Sequence, residues 1–343
     1  MNRKQQVAAL TGLFISLVFL WFAFRDLHPE QVINEIEQAN VPLLLVGATW
    51  YFVAVSIITL RWQYLLRQVK VVSLRRLIPL VCIGYMGNNV YPFRSGEALR
   101  IFLLRRDHGV PVIKATTTVI VERVFDGLVM LTFIVLPLLL TDIASHDVQR
   151  VVTFAAPLFL SALAVFFILA ARPSILRQFT EHASKWLPGK LADLAKGVSE
   201  EVIAGLEGLR SPTDLAGAVI SSYVTWAVEA SVYWIVMLAF NIDSGYLVAL
   251  MVVGTVNLAG LLPASPGMVG VFEFFARAVL VAAGIGEELA AGYAVTVHVV
   301  IWLPVTVIGF IFLVRRGLGW SAITSAHQLD QQVAGLQEAP VDE

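Results

Sequence analysis

Residues 89–97 read Asn89-Val90-Tyr91-Pro92-Phe93-Arg94-Ser95-Gly96-Glu97, so that Pro, Gly and two charges interrupt an otherwise apolar run. Pro removes a backbone donor and stops a helix. A broken backbone at membrane depth persists only where protein or a watery cavity satisfies its polar groups. A second interruption, Leu262-Pro263-Ala264-Ser265-Pro266-Gly267, has the same offset of four from Pro to Gly and a later acid, Glu273. The breaks at Pro92, Gly96, Pro263, Pro266, Gly267 and Gly270 therefore predict two discontinuous helical hairpins.

The surroundings of both breaks are membrane-like. The chain is 58% hydrophobic and 14% charged, with a mean hydropathy of +0.77, whereas soluble domains run at about 45–50% apolar and about 25% charged. Apolar runs occupy 9–24, 42–60, 127–141, 151–171, 214–239, 246–263, 267–283 and 289–314. Several approach the roughly 20 residues that cross about 30 Å of hydrocarbon. They are apolar on every side, unlike the alternating strands of a membrane barrel. An all-α integral membrane protein is expected. Trp21-Phe22-Ala23-Phe24-Arg25 offers no small-residue cleavage site, so 9–24 reads as a retained anchor helix.

Lys and Arg flank the spans unevenly. Arg3 and Lys4, then Arg61, Arg67, Lys70, Arg75 and Arg76, then Arg105, Arg106 and Lys114, the stretch 172–213, and Arg315 with Arg316 fall on one side. The loops 25–41, 142–150, 241–245 and 284–288 carry only Arg25 and Arg150. The positive-inside rule makes both termini cytoplasmic, in a multi-pass protein of the plasma (bacterial inner) membrane. Residues 77–104 must then enter from the cytoplasm and return, and 246–283 must do so from the outer face. The expectation is a polytopic helical bundle with an inverted repeat of two span–broken hairpin–span units. Paired interrupted segments point to a transporter's binding site near the midplane. Residues 1–320 form the membrane domain. Within it, Leu187, Leu191, Leu194, Val198, Val202, Leu206 and Leu209 predict a cytoplasmic amphipathic helix in 172–213, and 321–343 reads as a disordered cytoplasmic tail.

Charges in a bilayer cost on the order of 2.5–3.5 kcal/mol each, so they face the bundle interior and have partners. Asn89, Arg94, Glu97 and Arg100 lie in the first hairpin, and Glu122, Arg123 and Asp126 on the next span. Asn257, Glu273 and Arg277 belong to the second hairpin, with Glu229 and His298 nearby. Helical spacing pairs Glu97 with Arg100, Arg123 with Asp126, and Glu273 with Arg277. Asn88 and Asn89 stand where they can cap the broken helix. Glu229, among Tyr223, Trp226 and Tyr233, suits a packed polar contact. Free amides of helices starting at Ser95-Gly96 and Gly267 would favour phosphate, and Arg94, Arg123 and Arg277 would bind its oxygens.

In order along the chain, Asn89-x-x-Pro92-x-Arg94-x-Gly96-Glu97-x-x-Arg100, Val121-Glu122-Arg123-Val124-Phe125-Asp126 and Asn257…Pro263-x-Ser265-Pro266-Gly267-x-x-Gly270-x-x-Glu273 resemble the lysylphosphatidylglycerol synthase transmembrane (flippase-like) family over roughly 10–316. The resemblance implies lipid movement between leaflets, with Arg94, Glu97, Arg100, Glu122, Arg123, Asp126 and Glu273 as signature positions. Two departures accompany it. His298 stands where an Arg is usual, and the polar tail from 317 carries no aminoacyl-transferring domain, so lipid synthesis is not implied. The expected function is transport of a phosphate-bearing (phospho- or polyprenyl) lipid, without cofactor, metal site or catalytic residue. Membrane lipids, proton coupling and a lipid-modifying synthase are the expected partners, and nucleic acid is not. An intramembrane enzyme using Glu97 or Asp126 as base, or a scaffold for a lipid or glycan synthase, are the competing readings. No nucleotide loop, G-x-S-x-G or H-E-x-x-H occurs. The single Cys82 permits no intramolecular disulfide.

Overall fold

A computed structural model describes residues 3–67, 69–91, 95–141, 161, 173–186, 188–189, 191–193, 196–197, 200, 212–262 and 264–317. These residues form helices and no strands. In chain order they are α1 (Arg3–Phe24), α2 (Pro29–Gln38), α3 (Val41–Leu66), α4 (Leu74–Val90), α5 (Gly96–His108), α6 (Val112–Leu140), α7 (Pro173–Ser184), α8 (Pro212–Ala239), α9 (Tyr246–Ala259), α10 (Val271–Ala282) and α11 (Glu287–Arg315). A single 3-10 turn, Pro266–Met268, sits between α9 and α10.

Length sorts these helices into two kinds. Among the described residues, α3, α6, α8 and α11 are long and apolar enough to cross a bilayer, and the pair α1–α2, bent by 83°, counts as a fifth crossing if taken as one span. Their outward faces carry Leu45, Val46, Leu60, Ile220, Val224, Phe310 and Val314 in exposed positions, a surface suited to lipid and not to water. The protein is an all-α, multi-pass integral membrane protein. By contrast α4, α5, α9 and α10 have 17, 13, 14 and 12 residues. At 1.5 Å per residue even the longest is about 26 Å, short of the hydrocarbon core.

The short helices pack in pairs, α4 on α5 and α9 on α10. In the first pair, small residues allow near backbone contact. A Cβ on Gly96 would fall 1.9 Å from the Gly84 carbonyl oxygen, and one on Gly87 2.7 Å from Gly96 Cα. In the second, the break turns on Gly267 and Gly270, both with positive φ (70° and 88°), a conformation that glycine adopts without steric cost. The second break is also strapped by α1. Ser265 N donates to Ser16 Oγ, which donates in turn to Ser265 Oγ, both at 2.8 Å. Phe19 packs its ring on Phe274 and Phe275.

Four expectations change. The loop 25–41 holds helix α2, whose Val32 packs with Leu27 and Ala291. The second broken helix resumes at Val271 and not at Gly267. Arg61 is not a flanking charge, because α3 continues to Leu66 and buries it at 1% exposure. The helical pairs Glu97–Arg100 and Glu273–Arg277 give way to partners on other helices, described below. Pro92, Phe93, Arg94, Pro263, the loop 142–150, most of 151–171, the tail from 318, and all but Leu191 of the amphipathic positions lie outside the described residues.

Candidate functional site

The two breaks meet. The turn at Pro266–Met268 packs against α4, and a Cβ on Gly267 would lie 2.7 Å from Trp302 Nε1 and 3.2 Å from the Asn89 carbonyl. Asn89 Nδ2 ties the end of α4 to α11 by donating to Thr306 Oγ1 at 2.8 Å. Asn88 bridges the first break itself: Gly96 N donates to its Oδ1 at 2.9 Å, and its Nδ2 donates to Glu97 Oε1 at 3.1 Å. At the second break Glu273 Oε2 accepts from Gly270 N at 2.6 Å. One amide at each break is therefore occupied by a side chain, Gly96 N at the first and the N-cap amide Gly270 N at the second.

Between the breaks lies a cavity of about 750 Å³. Asn89, Glu97, Arg100, Arg123 and Asn257 line it, together with Asn88, Glu229, His298, Trp302 and the rings of Tyr51, Tyr85, Tyr233 and Phe272. Gly96, Pro266 and Gly267 complete the wall where the backbone is broken. Asn257 Nδ2 donates to its own helix at Val253 O.

Behind this wall stands a charge network. Arg61 Nη1 reaches Asp126 Oδ1 at 2.5 Å, and Arg61 Nη2 reaches Glu122 Oε1 at 3.1 Å. Arg100 Nη2 donates to Glu122 Oε2 at 3.3 Å and stacks over Trp62 with 4.4 Å to the ring centre. Arg123 Nη2 joins Glu122 at 2.8 Å and Asp126 at 3.3 Å, while its Nη1 lies 3.9 Å from Glu97 Oε1. Trp226 Nε1 donates to Asp126 at 2.6 Å. Three guanidinium groups thus face three carboxylates, so the group carries no net charge into the bilayer. Glu122 is fully buried and Asp126 nearly so. These two carboxylates hold the arginines and do not touch the cavity. Arg123, with a side chain 43% exposed, is the member that faces it most openly.

Glu273 stands one residue behind the wall, with Oε1 2.6 Å from Nδ1 of the lining His298. Arg277 departs from expectation. It donates to Glu287 Oε2 at 2.5 Å, at the start of α11, and does not line the cavity. Sequence reasoning passed over Trp302 and read Arg61 as a flanking charge, while Asn88 and Glu229, expected as a helix cap and a packed polar contact, also line the cavity. Arg61 was legible as a continuation of α3, since the apolar Trp62, Leu65 and Leu66 follow it. Glu229 has a buried Oε2 without a partner, and Trp302 has an unpartnered Nε1. No local pattern announced Trp302, whose role depends on the approach of Gly267 from 35 residues away.

The site is a polar, partly aromatic chamber with an electrically balanced lining. Its wall combines cations, carboxylates and amides, which suits binding of a charged or zwitterionic group. Among the described residues no group of three or more His, Cys, Asp or Glu is arranged to hold a metal ion.

Comparison with known proteins agrees with the motifs. The chain is 25% identical over 301 residues to a protein named glycosyltransferase AglD of Haloferax volcanii; the match covers 78% of this chain and 48% of AglD, so this chain spans about half of that relative. It is 22% identical over 312 residues to a UPF0104 membrane protein of Methanothermobacter thermautotrophicus, covering 87% of this chain and 92% of the relative. A UPF0104 membrane protein of Pyrococcus horikoshii, PH1989, is 21% identical over 336 residues, covering 92% and 98%. The profile of the lysylphosphatidylglycerol synthase TM region matches residues 9–309, nearly the whole apolar bundle and both breaks. The chain belongs to the lysylphosphatidylglycerol synthase TM region family.

Proposed function

We infer that the protein is a membrane transporter that passes a phosphate-bearing lipid between leaflets. The head group would travel through the cavity while the acyl or polyprenyl chains stay in hydrocarbon. One observation carries this reading: the chamber of about 750 Å³ is bounded by both helix breaks at once and lined by Glu97, Arg100 and Arg123. Guanidinium groups suit phosphate oxygens because they present paired donors in a plane. The carboxylates beside them neutralise the empty site, so that a head group exchanges one set of charge contacts for another. The name of the Haloferax relative, a glycosyltransferase, supports including lipids used in glycan assembly, polyprenyl phosphates among them, within the substrate class.

In this reading the termini are cytoplasmic and the protein sits in a plasma membrane of bacterial inner-membrane type. It makes no new covalent product, and its partners are membrane lipids. Movement is downhill or coupled to protons. A leaflet-resolved assay of labelled phosphatidylglycerol in proteoliposomes tests it. The protein is expected to speed equilibration of the label, and Glu97→Gln to slow it. Lipid movement at the rate of empty vesicles would sink the reading. Unchanged movement in the Glu97→Gln protein would remove that carboxylate from the mechanism.

A further inference from the structure

His298 lies in the middle of α11 and is buried to 8% exposure, yet it lines the cavity. Its surroundings fix the ring on two sides. Phe272 stacks on one face, with ring centres 4.1 Å apart and planes 19° from parallel. Nδ1 sits 2.6 Å from Glu273 Oε1. That carboxylate is itself held by Gly270 N at the turn of the second break. An ionised carboxylate only accepts hydrogen bonds, so Nδ1 carries the ring proton. With Nδ1 engaged and one face covered, Nε2 is the edge that the cavity meets. A carboxylate that holds one imidazole nitrogen sets the tautomer and the direction of the other.

One helical turn further on the same face, Trp302 lines the same cavity, with its Nε1–H enclosed against Gly267. The two groups are four residues apart on α11 and therefore adjacent. We propose that His298 Nε2, beside Trp302, forms a proton-dependent site for the phosphate oxygens of the head group, with Glu273 as positioning residue. When the imidazole is neutral, Nε2 is a lone pair and repels an oxyanion. When a proton from the cavity binds Nε2, the ring presents an N–H donor on a cation balanced by Glu273. Proton and anion then bind together and leave together. No bond to phosphorus forms or breaks.

The same arrangement explains why the pair does not simply collapse into an inert salt bridge. Glu273 has both oxygens committed, one to Gly270 N and one to His298, so protonation of Nε2 adds a donor without costing the carboxylate a partner. The other titratable or charged groups lining the cavity are Glu97, Arg100, Arg123 and Glu229, with Tyr51, Tyr85, Tyr91 and Tyr233. Among the described residues, Glu273 is the charged group within ion-pair distance of the imidazole.

This inference rests on the reading of the cavity as a head-group site, and its test separates the two. The detergent-solubilised protein is titrated with dioctanoyl phosphatidylglycerol, and in parallel with inorganic phosphate, between pH 5.5 and 8.5; movement of labelled phosphatidylglycerol is followed over the same range. Phosphatidylglycerol is expected to bind about tenfold tighter at the acid end. His298→Gln is expected to flatten that slope at the weak level, and His298→Arg to flatten it at the tight level. Melting profiles of the variants show that each remains folded. The wild-type slope persisting in both His298 variants would overturn the proposal, and so would wild-type binding without any slope. Movement with an unchanged slope in His298→Gln would leave transport standing and remove this site. Proton-linked binding without movement would do the reverse. Tighter binding of inorganic phosphate than of the lipid would support the anion site and name a free anion as its ligand.

Discussion

At the residue scale, the charges inside this bundle divide by what their removal would strand. Arg61, Glu122 and Asp126 are buried and share partners on three helices, α3, α6 and, through Arg100, α5. Removing one partner leaves an uncompensated charge in a low-dielectric interior, a loss of about 3–5 kcal/mol. Arg61→Gln and Asp126→Asn are each expected to lower the melting temperature in detergent sharply, while Glu287→Gln, at a pair whose acid is half exposed, costs about 1 kcal/mol or less. Equal losses at both places would mean that the network does not hold the helices together. The acid–base content of these positions was readable from the chain, because charge in an apolar run demands a partner. The partners were not. Helical spacing offers Arg100 to Glu97 and Arg277 to Glu273, but Arg100 turns to Glu122 and Arg277 to Glu287 across tertiary contacts. Arg61, placed at the end of an apolar run, looked like a flanking positive charge until the length of α3 carried it inside.

At the element scale, the helix breaks are held by short polar side chains and by glycines without Cβ atoms. Asn88 closes the first break by accepting from Gly96 N. In the second, Glu273 accepts from Gly270 N, and α1 supplies Ser16 to Ser265. A Cβ on Gly270 would meet the Ser16 carbonyl oxygen at 2.4 Å, so α1 and the second break are packed backbone against backbone. The expectation follows that Ser16→Cys and Ser265→Cys together form a disulfide on mild oxidation, since their hydroxyl oxygens are 2.8 Å apart. Mass spectrometry of the digested protein detects it, and a failure to cross-link would separate α1 from the break. The Pro and Gly that mark the breaks were legible in sequence. The strapping by α1 was not, because it joins residues 249 positions apart through a contact that no periodicity encodes.

At the scale of the whole molecule, the described residues combine four long spans and the bent α1–α2 pair with two packed pairs of helices too short to cross. The positive-charge bias predicts that the α5–α6 connection faces the cytoplasm and the α8–α9 connection faces outward. The native thiol, Cys82, is buried at 1% exposure, which gives a low background for cysteine labelling. In sealed, right-side-out vesicles a membrane-impermeant maleimide is therefore expected to label Asp243→Cys and to spare Arg105→Cys until the membrane is opened, both sites being exposed on the protein. Labelling of both sites from one side would undo the assigned orientation. The amino-acid order alone determined the membrane setting, the helical class and the positions of the two interruptions, since each follows from local transfer energies and from what Pro and Gly do to a backbone. Only the tertiary structure decided that the interruptions converge on one chamber, that Glu122 and Asp126 stand behind its wall, and that His298 and Trp302 stand in it. The reason is physical: a bilayer rewards apolar surface wherever it occurs along the chain, whereas a buried charge is satisfied by whichever partner the packing of distant helices brings within about 3 Å.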